Sequence, residues 1–149
     1  MKFQINSGFT LIEFLLVVAL VTTLSLLSVG FYSRFLTQDA VANTVDQLTG
    51  DFRKAQIYAM MGRGDGNWGV NFATNTLTLY RGASFATRTT ADKAFDETFS
   101  INQNISISGF SDLNFTKRTG LPGATPTITI SGNNTTKTVT INAQGIASR

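Results

Sequence analysis

The chain has 149 residues, 12 Lys plus Arg against 9 Asp plus Glu, and neither Cys nor His. That composition excludes a disulfide framework, Cys- or His-ligated metals, thiol catalysis and any imidazole-dependent triad, so no enzyme activity, catalytic residue, metal site or cofactor is expected. The formal net charge of +3 sits on a chain only 14 % charged, too mild an excess to argue for nucleic acid by itself.

Residues 1–8 form a short leader with Lys2 as its positive charge. From Phe9 to Tyr32 the sequence is apolar with a single ionisable side chain, Glu13. As a helix this run would be about 36 Å long, more than the roughly 30 Å hydrocarbon core of a bilayer, so residues 9–32 read as a membrane span. A secretory signal peptide cut near Gly30, leaving a mature chain from about Phe31, is the ordinary alternative. Against it stand the single Lys2, a run longer than the usual stretch of about 7 to 15 residues, and the carboxylate inside the run. An acid at mid-bilayer costs on the order of 2.5–3.5 kcal/mol, which makes Glu13 a functional candidate in need of a partner. Gly30 is the weak point of the span, because Gly costs about 1 kcal/mol relative to Ala inside a helix.

Residues 33–62 continue as an amphipathic half. Val41, Val45, Leu48, Phe52, Ala55 and Ala59 recur at three- and four-residue spacing, which predicts one buried helical stripe. The cluster Gly62, Gly64, Asp65 and Gly66 ends it. Residues 63–149 read as an antiparallel β-sheet globular domain, in which from Asn67 onward the period changes to two: Trp68, Val70 and Phe72, then Leu77 and Leu79, later Ile105 and Ile107. Thr127–Ile130 against Thr138–Ile141 predicts a hairpin turning through Gly132, Asn133 and Asn134, with Ile and Val inward and Thr outward. Leu113–Lys117 is a further strand, and Gly82–Asp96, without periodicity, reads as a surface loop. The expected class is α+β: a long N-terminal helix, apolar then amphipathic, whose second half packs on a C-terminal antiparallel sheet.

Cut between Gly8 and Phe9, the sequence Gly8-Phe9-Thr10-Leu11-Ile12-Glu13 followed by an apolar stretch resembles the type IV pilin and pseudopilin family. The resemblance implies that a prepilin peptidase cleaves after Gly8 and that Phe9 is N-methylated. It implies that Glu13 pairs with the free amine of a neighbouring subunit's Phe9, and that Leu11 and Ile12 pack in the filament core. An ammonium and a carboxylate buried among apolar helices attract only at the correct axial register, so the pair would set that register. The implied partners are other pilin or pseudopilin subunits in a helical hetero-oligomeric filament, the peptidase, an inner-membrane assembly platform and, before assembly, membrane lipid. The implied location is the bacterial inner membrane, single-pass, N-terminus cytoplasmic and C-terminal domain periplasmic or extracellular, then the filament. Many relatives carry a proline where this chain has Gly30.

Trp68-Gly69-Val70, Leu113-Asn114-Phe115 leading to Gly120, and a last strand running to Gly145 are similar to the minor pseudopilin H and FimT-like branch. This implies a low-abundance subunit of a type II secretion system or type IV pilus. Some members bind DNA through a terminal Gly-Arg-x-Arg pattern. The tail here, Gly145-Ile146-Ala147-Ser148-Arg149, keeps one arginine, so Lys117, Arg118 and Arg149 are the residues on which a DNA-uptake role would rest. Arg63-Gly64-Asp65 reads as turn chemistry, Asp65-Gly66-Asn67 lacks the other ligands of a calcium loop, and Asp96 and Glu97 point apart rather than forming an acid/base pair.

Overall fold

The structure, a computed structural model, describes the backbone of residues 9–133 and 135–149 and the side chains of all of these except 27–35. The elements in chain order are α1 (Leu11–Met60), a 3-10 turn (Arg63–Asp65), β1 (Trp68–Ala73), β2 (Thr76–Arg81), α2 (Thr90–Lys93), β3 (Glu97–Ser100), β4 (Ser106–Ser108), β5 (Asp112–Phe115), β6 (Thr127–Gly132), β7 (Thr135–Ile141) and β8 (Ala147–Ser148). The chain divides into two compact units after Leu36.

In the first unit every described residue from Phe9 to Leu26 is exposed. Thr23 and Ser25 turn their hydroxyls back onto the carbonyls of Leu20 and Val21, at 2.9 and 2.8 Å, as Thr22 does onto Val18, which satisfies a polar group on an apolar helix. The expectation of a membrane span over residues 9–32 is corrected here: among the described residues no helix is long and apolar enough to cross a membrane. Past Leu36 the helix carries Gln38, Asp39, Asn43 and Asp46. The single-pass inner-membrane location that rested on this span is withdrawn with it.

In the second unit the helical stripe is as its spacing predicts. Val41, Val45, Leu48, Phe52, Ala55 and Ala59 are all buried and join one apolar cluster with strand residues. The strands make two antiparallel four-stranded sheets, ordered β3-β2-β1-β5 and β4-β6-β7-β8, where one sheet was expected. The connector after β3 carries the chain out of the first sheet with Ile101 and Ile105 buried, and β5 returns to it before β6 begins the second. Phe52 binds these parts together through edge-on contacts with Phe110 and Phe115, ring centroids 5.4 and 6.4 Å apart.

The second sheet alternates as a half-buried sheet should. Ile128, Ile130, Val139 and Ile141 face the core, with Ile128 opposite Val139 and Thr129 opposite Thr138 in the predicted hairpin. Its outer face is made of hydroxyls alone. The strand register places Ser106, Ser131 and Thr136 in one row, Ser108, Thr129 and Thr138 in the next, and Thr127, Thr140 and Ser148 in the third.

The first sheet does not alternate, because both its faces are covered. Four consecutive residues are buried in β1 and four in β2. The inner face meets α1. The outer face lies under residues 82–96, which are an organised cap with their own short helix. Thr89 and Asp92 form a capping box that starts α2. Arg81 Nε holds Asp92 at 2.6 Å, Arg88 pairs with Asp96 at 2.9 Å, and Phe85 N–H donates to Asp112 at 3.1 Å. Tyr80 lies buried beneath, its hydroxyl donating to Asp112 at 2.6 Å; burial, then this bond, push that hydroxyl far above the ordinary phenol range.

The tyrosine fits because its neighbour across the strand is Gly69. A Cβ there would lie 2.7 Å from both the Tyr80 hydroxyl and the carbonyl oxygen of Leu113. Since backbone cannot yield as a side-chain tip can, Gly69→Ala is expected to cost about 1–3 kcal/mol of stability. Urea unfolding checks this, and a variant within about 0.5 kcal/mol of the parent would show that the space is not closed.

Near the C-terminus of α1, Gln56 joins two distant segments: its Nε2 donates to the carbonyls of Gly120 at 3.1 Å and Gln144 at 2.6 Å. Gly145 closes this joint with φ +79, where a Cβ would stand 2.5 Å from Gln56 Nε2.

Candidate functional site

The candidate site begins where α1 begins. Thr10 precedes the first helical residue, and its side chain and that of Glu13 bond reciprocally. Glu13 N–H donates to Thr10 Oγ1 at 3.3 Å, while the Thr10 hydroxyl and N–H donate to Glu13 Oε2 at 3.4 and 3.5 Å. This is a capping box, which satisfies helix-terminal N–H groups that have no partner within the helix. Phe14 N–H donates to the Thr10 carbonyl at 3.2 Å, closing the first turn. The carboxylate also sits at the positive end of the helix dipole. Glu13 therefore has a local role that sequence reasoning missed, although the signal, a Thr three residues ahead of a Glu at the head of an apolar run, was there to see. The bonds are long and solvent-exposed, so they hold Glu13 loosely and leave it able to engage another group.

Around this cap the apolar side chains point into solvent. Phe9 is 80 % exposed, Leu11 78 % and Ile12 74 %, so the predicted assembly residues lie together at one end of the helix. Gly8 is outside the described residues. Gly30 lies within α1, and its surroundings are outside them.

The three basic residues singled out for DNA are placed apart. Lys117 forms an ion pair with Asp65, whose carboxyl is thereby held below its ordinary value, and Lys117 N–H donates to Asn67 Oδ1 at 2.8 Å. Arg118 takes a left-handed backbone, φ 69, and its N–H donates to the Ala59 carbonyl at 2.8 Å, capping the C-terminus of α1. Arg149 pairs with Asp46, more than three helical turns earlier on α1 than Ala59, or about 20 Å along the axis. Two of the three charges are thus matched by a carboxylate, and the third residue has a backbone task.

Arg63-Gly64-Asp65 is the 3-10 turn that ends the helix. The Trp68 indole donates to the Arg63 carbonyl at 2.8 Å, and the Arg63 guanidinium lies 4.2 Å from the Tyr58 ring centroid. Asp96 and Glu97 point apart as expected, to Arg88 and Lys54.

The described residues contain a second candidate on the second unit. An open groove of about 450 Å3 lies between α1 and β3, lined by uncharged side chains, Asn43, Thr44 and Gln47 among them on the helix side. Gln47 Nε2 also donates, at 3.0 Å, to Asp51, a carboxylate only 3 % exposed whose other oxygen has no hydrogen-bond partner. Burial raises this carboxyl from 3.8 to about 6, against the opposing effects of the Gln47 bond and Lys54. Comparison of the chain with protein-family models, with curated proteins and with solved structures finds no match.

Proposed function

We propose that this chain is a structural subunit of a filament of the type IV pilin kind, a minor pilin or pseudopilin, held to neighbouring subunits through the helix that begins at Phe9. The observation that carries the reading is the exposure of every described side chain from Phe9 to Leu26 on a helix that is apolar on all sides. Such a helix is stable only when covered. Packing the equivalent helices of neighbouring copies against one another covers it, with Leu11, Ile12, Leu15, Leu16 and Val18 supplying contacts. Filaments serving secretion or a pilus use the same contact, so the reading extends to either machine.

On this reading a prepilin peptidase removes residues 1–8 and Phe9 becomes the methylated N-terminus, within reach of a neighbour's Glu13. Mass spectrometry of the protein from its native host tests it: a chain starting at methylated Phe9 supports the filament class, and one starting near Phe31 or at Met1 overturns it.

Glu13 has two separable tasks, cap and intermolecular pair. Glu13→Gln keeps an oxygen able to complete the capping box while removing the charge; Glu13→Ala removes both. If the charge pair drives assembly, both variants accumulate normally but are depleted at least about tenfold from sheared filaments, the loss expected from stranding one partner of a desolvated pair. Normal incorporation of Glu13→Gln with failure of Glu13→Ala would leave Glu13 as a cap alone.

A further inference from the structure

The groove on the second unit has a backbone wall as well as a side-chain wall, and the register shows which backbone groups face it. Ile101 N–H donates to the Asn75 carbonyl at 2.7 Å, so residues 75 and 101 form a hydrogen-bonded pair. Because such pairs alternate along an antiparallel ladder, Leu77 with Phe99 and Leu79 with Glu97 are hydrogen-bonded too. Thr98 and Ser100, opposite Thr78 and Thr76, then turn their N–H and C=O groups away from β2, outward from the sheet. The same alternation holds on the other side of β2, where Gly82 N–H donates to the Asn67 carbonyl at 2.9 Å, one step beyond the Trp68–Arg81 pair.

β3 is an edge strand, and edges are normally blunted. At the opposite edge of this sheet, β5, the chain folds back on itself: Gly123 N–H donates to the Asn114 carbonyl, Thr116 N–H to that of Leu121, both at 2.9 Å, and Phe115 bridges Pro122. At β3 no backbone hydrogen bond covers Thr98 or Ser100 among the described residues, and the strand has neither proline nor lysine. In place of a cover there is a groove whose other wall is α1. No charged side chain lines it, and its volume is that of a small-ligand site.

We propose that this groove is a peptide-binding site: an extended, uncharged segment of another protein adds to the first sheet as a strand beside β3. Its backbone bonds to the N–H and C=O groups of Thr98 and Ser100. Its side chains on the α1 side meet Asn43, Thr44 and Gln47, which favour small polar residues there. The mode is strand addition at an open edge, with affinity from main-chain bonds and selectivity from the pockets beside them. It does not depend on the filament reading, since it uses none of Phe9–Leu26.

The test uses the full chain and, as probe, the pentapeptide acetyl-Thr-Val-Ser-Val-Thr-amide, with an N-methylated form as control because it cannot continue a ladder. Saturable binding is expected, with the amides of Thr98 and Ser100 exchanging at least about tenfold more slowly in deuterium exchange, and no binding of the control. In Ser100→Pro the lost N–H is one that faces outward, a position at which an edge strand tolerates proline; binding should weaken at least about tenfold with the fold retained. Should that variant fail to fold, Asn43→Lys places a charge at the exposed helix wall and should weaken binding comparably. Absence of probe binding, equal binding of the N-methylated control, or unchanged affinity in the soluble variant would each overturn the proposal.

Discussion

Phe52→Ala is expected to cost about 3–5 kcal/mol, the range for truncating a fully buried aromatic. Phe52 has no exposed surface and lies edge-on against Phe110 and Phe115. Its removal opens a void where helix, β5 and the connector between the sheets meet, and none of these can collapse into it without leaving the others. Small domains have about 5–15 kcal/mol in total, so the variant loses roughly a fifth or more of its margin. The single tryptophan, Trp68, is buried in the same cluster, and its fluorescence during urea unfolding reports on this unit. The neighbouring Arg53→Ala, on the exposed side of the same turn, should stay within about 0.5 kcal/mol. A loss at Phe52 below about 1 kcal/mol would mean that the ring is not part of the core.

Asp51→Asn should change how stability depends on pH. The folded protein holds the Asp51 proton up to about pH 6, whereas the unfolded chain releases it near 3.8. Between these values the folded state binds more protons, so stability falls as pH rises. The contribution is fully present below the unfolded value and gone above the folded one. A shift of this size corresponds to about 3 kcal/mol across the window. Near neutral pH the protein carries an ionised, buried carboxylate with one oxygen unpartnered, and Asn removes that charge while keeping an acceptor for Gln47. The variant should therefore show a flatter profile between pH 4 and 7 and equal or greater stability at pH 7. Urea midpoints at half-unit steps measure it; parallel profiles for parent and variant would exclude Asp51 as the titrating group.

Features set by repetition were legible in the sequence. The stripe from Val41 to Ala59 and the Thr127–Ile141 hairpin follow from periods that only a half-buried helix and half-buried strands satisfy. Residues 82–96 were not legible as a cap, because what orders them is long-range: Arg81 reaching Asp92, and Asp112 accepting from both Tyr80 and Phe85. The consecutive burial in β1 and β2 is the other side of the same fact, since polar Asn71 and Thr78 give no sign of a covered face. Hydropathy over residues 9–32 suggested a span, whereas among the described residues no helix is long and apolar enough to cross a membrane. At the candidate site, the Thr10–Glu13 cap is a local pattern and could have been read; the open edge at β3 could not, because it depends on which backbone groups the register turns outward.

The joint at Gln56 has a consequence for how the protein is made. Its bond to Gln144 spans 88 residues, and Arg149 pairs with Asp46, ten residues before Gln56 on the same helix. Chains emerge from the ribosome N-terminus first, at about 5–20 residues per second. The helix therefore appears early, with its apolar stripe bare, and must wait several seconds for β6, β7 and β8 before its core is complete. During that interval the stripe from Val41 to Ala59 is open to any apolar surface in the cell. A nascent chain of this design keeps part of that stripe bare until β6, β7 and β8 have emerged, and removing residues 145–149, which carry Gly145 and β8, should loosen the joint at Gln56 while leaving the first sheet intact.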